Sequence, residues 1–349
     1  APANGNQSVK LIVLFRRFAM DNTSLLVNRI FSLTSNDDFD QLALDIFVYQ
    51  YFNNPLYGKY CKLLGANPSH IHTPAEIPFL PVEFFRSHKI ISGIKAEEVV
   101  FTSSGTTGNQ TSSHYVVDTG LYERSFGSAF RHFYGEPSEW CVLALLPSYL
   151  ERSGSSLVFM ATKLIGESLH PDSGFYLHNL DDLAVKLEKL KSENQKTLLL
   201  GVTYALLDLA ENHHIDFPSL VVMETGGMKG QRKELIREEL HSILNNGFGT
   251  SSIHSEYGMT ELLSQAYSSG NGRFFCPPWM KVFIRDTNDP LSYVLAGKTG
   301  GINVIDLANI HSCSFISVQD LGKWYENGSF EVLGRFDNSQ VRGCNLLIQ

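Results

Sequence analysis

The stretch "KTLLLGVTYALLDLAENHHIDFPSLVVMETGG", residues 196–227, decides how the chain folds. "TLLLGV" is apolar throughout and offers no face to water, so it reads as a strand buried on both sides. "YALLDLAEN" spaces its apolar residues three and four apart, the period of a helix. "SLVVMETGG" is again an apolar strand, ending in two glycines. Strand, helix and strand in succession argue for a parallel sheet covered by helices.

The alternation extends upstream. "WCVLALLPS" (140–148) reads as a buried strand, "SSLVFMATKLIG" (155–166) as a buried helix and "DDLAVKLEKLKSE" (181–193) as an amphipathic helix. A helix is expected from Asp118 or Thr119 to 134, and another over "GQRKELIREELHSIL" (230–244). "SLLVNRIFSL" (24–33) and "FDQLALDIFVYQYF" (39–52) read as helices, the second capped by Asn36 or Asp37. "HTPAEIPFLPVEFFRSH" (72–88) carries three prolines and is expected to be extended loop. After about residue 250 the texture changes. "GRFFCPPWMKVFIRD" (272–286), "GGINVIDL" (300–307) and "SFISVQDLGKWYENGSFEVLGRFD" (314–337) are short strands with Gly, Asn and Asp turns, which predicts antiparallel sheet. The fold class is therefore α/β: a large, mostly parallel sheet flanked by helices, plus a C-terminal antiparallel β subdomain. Residues 21–250 are read as the α/β core and 251–349 as an active-site turn with a β-rich subdomain of the same domain. Residues 1–20 are expected to be a vector-derived or upstream leader, with Met20 as the natural start; a native amphipathic arm is the alternative.

The composition excludes several classes. Of 349 residues 43% are hydrophobic and 18% charged, a globular balance. The net charge of -8 gives no basic field for nucleic acid. Five cysteines, Cys61, Cys141, Cys276, Cys313 and Cys344, are widely spread with no CxxC pair. A disulfide framework or zinc site is not expected, and a reducing, cytoplasmic compartment fits. No apolar run reaches the roughly 18 residues of a membrane span.

Ligands of parallel α/β sheets bind at the carboxyl ends of the strands. Four such ends carry unusual residues: "FTSSGTTGNQTSSH" (101–114), "LLPSYLERSGSS" (145–156), "METGGMKG" (223–230) and "HSEYGMTE" (254–261). In the first, Gly105 and Gly108 let backbone N–H groups approach an anion, and the hydroxyls add donors. It lacks the lysine of a Walker loop, and read alone it is equally a polar surface loop. In the last, Tyr257 can stack on a base, Gly258 permits a tight turn, Thr260 can donate to a phosphate and Glu261 can hold magnesium. Alone it is equally a strand–turn–helix junction. "SGSS" (153–156) lacks the GxSxG elbow of a hydrolase.

Taken in order, "FTSSGTTG" (101–108), "METGGMKG" (223–230), "EYGMTE" (256–261), "VQDLG" (318–322) and "GRFDNSQVRGC" (334–344) resemble the adenylate-forming enzymes, the acyl- and aryl-CoA synthetase superfamily. "ETGGMKGQRKELIREELH" (224–241) and "RGCNLL" (342–347) are most similar to its short acyl-protein synthetase branch, the fatty-acid–protein ligases of bacterial bioluminescence, related to phenylacetate-CoA ligases. The resemblance covers about residues 75–349. It implies the N-terminal domain of such enzymes, with ATP and Mg2+ as cofactors. Ser103, Ser104, Gly105, Thr106, Thr107 and Gly108 would hold the ATP phosphates. Gly226 and Gly227 would flank the adenine and acyl pocket. Tyr257 and Gly258 would face adenine, Thr260 a phosphate and Glu261 the magnesium ion. Asp320 would bind the ribose hydroxyls, Arg335 ribose or phosphate, and Asp337 marks the family's hinge.

The resemblance also implies, past the "GR" motif, a mobile domain bearing a catalytic lysine, which is not expected within these 349 residues. Lys229 is the candidate replacement, with Arg232 and Arg342 as further options and a solvated residue before a helix as the bland alternative. In the acyl-protein synthetases the acyl group passes to an enzyme cysteine. Cys344 is the expected acceptor, its thiol favoured by Arg342; a small buried hydrophobe is the alternative. Cys141 and Cys276 are weaker rivals. His254 is read as an acyl-pocket residue or a structural histidine, and His213 and His214 suggest no metal site. The expected function is ATP-dependent activation of a fatty or aryl carboxylic acid, followed by transfer to a thiol. The resemblance further implies an acyl-CoA reductase-like or acyl-transferring partner protein. The alternatives are a CoA or carrier-protein ligase and a noncatalytic nucleotide- or acyl-binding subunit.

Overall fold

The computed structural model describes residues 23–103, 111–146, 154–177, 179–226 and 235–335. Three helices open this part: α1 (Thr23–Ile30), α2 (Asn36–Asn53) and α3 (Pro55–Leu63). Ser35 caps α2, its hydroxyl accepting from Asp38 N, so the cap lies one residue before the expected Asn36 or Asp37. The proline-rich 72–88 segment is more structured than the expected loop. It holds strand β1 (Leu80–Pro81), which runs parallel to a later strand at Ile316 and Ser317, and the short helix α4 (Phe84–Ser87). A proline is tolerated there because β1 lies at a sheet edge.

A two-stranded ribbon follows, β2 (Val99–Thr102) against β3 (Ser113–Val116), and then helix α5 (Thr119–Tyr134), which begins where expected and is capped by Asp118. Strand β4 (Cys141–Leu145), helix α6 (Ser156–Ser168), strand β5 (Gly174–Tyr176), helix α7 (Leu180–Ser192), strand β6 (Thr197–Val202), helix α8 (Thr203–Asn212), strand β7 (Val221–Thr225), helix α9 (Arg237–Phe248), strand β8 (His254–Tyr257) and strand β9 (Ala266–Ser268) build the main layer. Their sheet order is β5-β4-β6-β7-β8-β9, parallel except for β9. The opening stretch is thus β6–α8–β7, with Leu200 opposite Met223 and Val202 opposite Thr225.

Helix α9 starts later than expected: Leu235 and Ile236 are described and not helical. Its first residue, Arg237, sends its side chain to the sheet, and Glu238 and Glu239 place negative charge against the helix N-terminus. Side-chain alternation shows which helices cover which face. His254 meets Tyr134 of α5, whereas Ser255 meets Arg237 of α9. Since neighbouring residues of β8 point to opposite faces, α5 and α9 lie on opposite sides of the sheet.

The antiparallel sheet is β10 (Met280–Arg285), β11 (Gly300–Asp306), β12 (Phe315–Trp324) and β13 (Phe330–Arg335), in order β1-β12-β11-β10 with β13 also on β12. Gln50 of α2 ties the N-terminal helices to it. Its amide donates to the Ile310 and Asn309 carbonyls, and its oxygen accepts from Ser314 N. A buried amide so fully paired leaves several groups without partners when removed. We therefore expect Gln50→Ala to lose about 2–4 kcal/mol, read as a lower urea midpoint with unchanged slope. A midpoint within error of wild type would refute this role.

Candidate functional site

The carboxyl ends of β7 and β8 carry most of the predicted residues. Tyr257 closes β8, its ring packed edge-on against Phe274 and Phe330. Its hydroxyl donates to Asp320 Oδ2 of β12 at 2.9 Å. Asp320 stands opposite Arg335 of β13 in the ladder, and Arg335 Nε lies 3.7 Å from Asp320 Oδ1. Tyr257, Asp320 and Arg335, far apart in sequence, are thus brought together where the two sheets meet. Burial raises the Asp320 carboxyl, opposed by the Tyr257 hydroxyl and the Arg335 charge. Arg335 itself is exposed and free to reach a ligand.

The turn after β8 is clamped from three sides. His114, the last residue of the Ser/Thr-rich stretch, places Nδ1 2.8 Å from the Thr260 carbonyl. A carbonyl only accepts, so Nδ1 carries the proton. Burial pushes His114 down to about 4, so the ring is neutral. Asn309 Nδ2 donates to the Glu261 carbonyl at 2.7 Å. Asp306, raised to about 6 by burial, accepts from Leu263 N, Ser264 N and Ser264 Oγ. Glu261 is buried, and burial raises its carboxyl, with Ser112, Arg335 and Arg86 acting against the shift. Among the described residues no group of three or more His, Cys, Asp and Glu is placed to hold a metal.

The neck of the Ser/Thr/Gly loop is closed by the Ser103 N–H donating to the Ser112 carbonyl, and Ser103 Oγ accepts from Ser112 N. Ser104, Gly105, Thr106, Thr107 and Gly108 lie outside the described residues, as do residues 1–20, Gly227, Lys229, Arg232, Asp337, Arg342 and Cys344. Gly226 ends β7 with φ +69°, a conformation that favours glycine, and its carbonyl accepts from Thr203 Oγ1. Burial raises every described thiol: Cys141 to about 11, Cys61 and Cys276 to about 12, and Cys313 further. None resembles an activated thiolate. His254 Nδ1 meets the Tyr134 hydroxyl at 3.1 Å, a structural contact.

The sequence reading passed over two carboxylates of these strands. Glu224 of β7 accepts from Ser255 Oγ at 2.8 Å and meets Arg237 at 3.3 Å and His241 at 3.6 Å. Glu256 of β8 accepts from Thr225 Oγ1 at 2.5 Å. Burial, reinforced by the Glu224 charge, raises Glu256 to about 7. The available signal was an acidic residue inside "HSEYGMTE", where strand alternation turns it away from Tyr257.

No family model matches the sequence, and no curated protein matches it. The fold does match solved structures. An open conformation of 2-hydroxyisobutyryl-CoA ligase, in complex with 2-HIB-AMP and CoA, superposes with TM-score 0.66 at 14% identity, covering 86% of this chain and 71% of the ligase. The same ligase in its thioesterification state gives 0.66 at 15% identity, covering 87% and 70%. ATP-bound MatB from Rhodopseudomonas palustris gives 0.52 at 17% identity, covering 69% of this chain, which spans about half of MatB's length (49%). The chain therefore has the fold of adenylate-forming enzyme domains, with its parallel sheet and flanking helices. At these identities the likeness is one of fold. Among the described residues no helix is long and apolar enough to cross a membrane.

The Glu256 shift has a measurable consequence. A carboxyl raised in the folded state contributes stability fully present below the unfolded value near 4.5 and lost as pH rises through about 7. Glu256→Gln cannot titrate. Relative to wild type it should gain stability between pH 4.5 and 8, by on the order of 3 kcal/mol. Urea titrations of both proteins across this range test it; parallel pH curves would refute it.

Proposed function

We propose that this chain activates a carboxylic acid with ATP, forming an acyl-adenylate that is then passed to a thiol. One observation carries the reading: Tyr257, Asp320 and Arg335 converge at the carboxyl end of the sheet on a fold shared with ligases solved with ATP, an acyl-adenylate and CoA. Asp320 would accept hydrogen bonds from the ribose hydroxyls, and Arg335 would reach the ribose or a phosphate. Tyr257 and Gly258 would bound the adenine, and Thr260 would donate to a phosphate. The loop Ser103–Gly108 would hold the remaining phosphate oxygens through backbone N–H groups and hydroxyls. Glu261 would hold magnesium, which neutralises phosphate charge.

In this reaction a carboxylate oxygen of the acid attacks the α-phosphorus and pyrophosphate leaves. Both reactants are anions, so donors fixed by the clamped turn lower their repulsion. A thiolate then attacks the acyl carbon, the acyl–phosphate bond breaks and AMP leaves. We propose an acyl-protein synthetase-like chain, with Cys344 as the acceptor and Lys229 as a cation near the α-phosphate. The raised thiols of the described cysteines support looking to Cys344 rather than Cys141 or Cys276. The second reading, transfer to CoA, is favoured by the CoA in the ligase complex.

Carboxylate-dependent ATP–pyrophosphate exchange tests the first step; no exchange with any fatty or aryl acid would sink the proposal. Asp320→Asn should raise the KM for ATP roughly 10- to 150-fold, the loss expected for charged hydrogen bonds. An unchanged KM would remove Asp320 from the nucleotide site. Acyl label on the protein but not on Cys344→Ser would support self-acylation; label retained on that variant would exclude Cys344.

A further inference from the structure

Glu256 of β8 is a half-buried carboxylate with a single hydrogen-bond donor among the described residues. The residue keeps part of its surface open, while the surrounding protein raises its carboxyl to about 7. Its hydrogen bond comes from a single hydroxyl, Thr225 Oγ1, on Oε2. No ion pair joins it among the described residues, and the charge of another carboxylate, Glu224 of the neighbouring strand, acts to raise it. Glu224 already has Arg237 and Ser255. Burial, with the Glu256 charge adding to it, raises the phenols of Tyr122, Tyr134 and Tyr267, which places these rings close by. Two of their hydroxyls are engaged elsewhere, Tyr122 on the Ser156 carbonyl and Tyr134 on His254.

The direction of the side chain is informative. A Cβ on Gly258 would collide with Glu256 Oε1, so the carboxyl lies over that glycine, toward the end of the strand. Oε1 therefore points to the carboxyl end of the sheet, where ligands of parallel α/β folds bind. Tyr257 faces Asp320 on one side of β8, and Glu256 faces α5 on the other. A nucleotide on the Tyr257 side leaves the Glu256 side for the acid's chain. A partly desolvated carboxylate with one donor gains from a second, and a ligand's N–H or O–H can supply it.

We infer that Glu256 selects the acid: the chain takes a carboxylic acid bearing an N–H or O–H donor along its chain, not a plain alkyl acid. This inference rests on the acid-activating reading above. It departs from an apolar acyl pocket, the simplest arrangement for a fatty substrate.

The test compares acids of equal length in ATP–pyrophosphate exchange: 4-aminobutanoate, 4-hydroxybutanoate and pentanoate, then 8-aminooctanoate, 8-hydroxyoctanoate and nonanoate. A donor-bearing acid should exceed its alkyl partner at least tenfold in kcat/KM at one of the lengths. The better of amine and hydroxyl identifies the donor. Glu256→Gln should cut that ratio tenfold or more, whereas a purely structural residue would lower all acids together and leave the ratio unchanged. Thr225→Val removes the internal donor and leaves the carboxylate; the ratio should hold or rise, which keeps the test decisive if Glu256→Gln fails to fold. Preference for the alkyl acids, an unchanged ratio in Glu256→Gln or a lower one in Thr225→Val overturns the inference and leaves acid activation standing. Exchange with none of the six acids, with ATP still bound, also overturns it. Failure to bind ATP removes the acid-activating reading and this inference together.

Discussion

Asp306 holds the working parts of this protein in one frame. Its carboxyl is fully buried at the end of β11 and accepts from two backbone amides and one hydroxyl of the turn that follows β8, and from Ala308 N. A buried carboxyl is costly unless its lone pairs are filled, and here donors from two segments fill them. The bond set fixes where Thr260 and Glu261 stand relative to the antiparallel sheet. Ser264 continues the network to Ser125 of α5 and to the indole of Trp279. Parallel sheet, antiparallel sheet and covering helix are thus locked together beside the proposed nucleotide site.

His114 brings the third partner. It ends the Ser/Thr-rich segment and grips the same turn through the Thr260 carbonyl. Its neutrality follows from burial. The loop neck, the clamped turn and the β12–β13 ladder therefore meet at one place, though more than two hundred positions separate the outermost of them. Such an arrangement suits a reaction between two anions, because its dipoles are fixed before the substrates arrive. Glu256 adds a different feature on the opposite face of the same strand. The proposed nucleotide side is provided with partners by the fold, and the other side presents a carboxylate with one donor among the described residues.

The fold class was legible because its signals are local. "TLLLGV" and "VVMET" are uniformly apolar, as strands buried on both faces must be, and the helices between them keep a 3.6-residue period. Boundaries were less legible. Ser35 rather than Asn36 caps α2, because its hydroxyl is the one that reaches Asp38 N, and α9 begins at Arg237, whose side chain reaches Glu224 of the sheet. The proline-rich segment gained β1 only because β12 was available to pair with it.

The sequence by itself determined that this is an α/β protein with a β-rich C-terminal part, and it marked Tyr257, Asp320 and Arg335 as candidates through ordered motifs. Tertiary structure alone decided that Asp320 meets both Tyr257 and Arg335, that His114 and Asp306 hold the turn, and that Glu256 has one hydrogen-bond donor among the described residues. The physical reason is one of range. Periodicity and propensity act over a few neighbours along the chain, whereas desolvation and charge pairing depend on atoms that only the folded chain brings within a few ångströms.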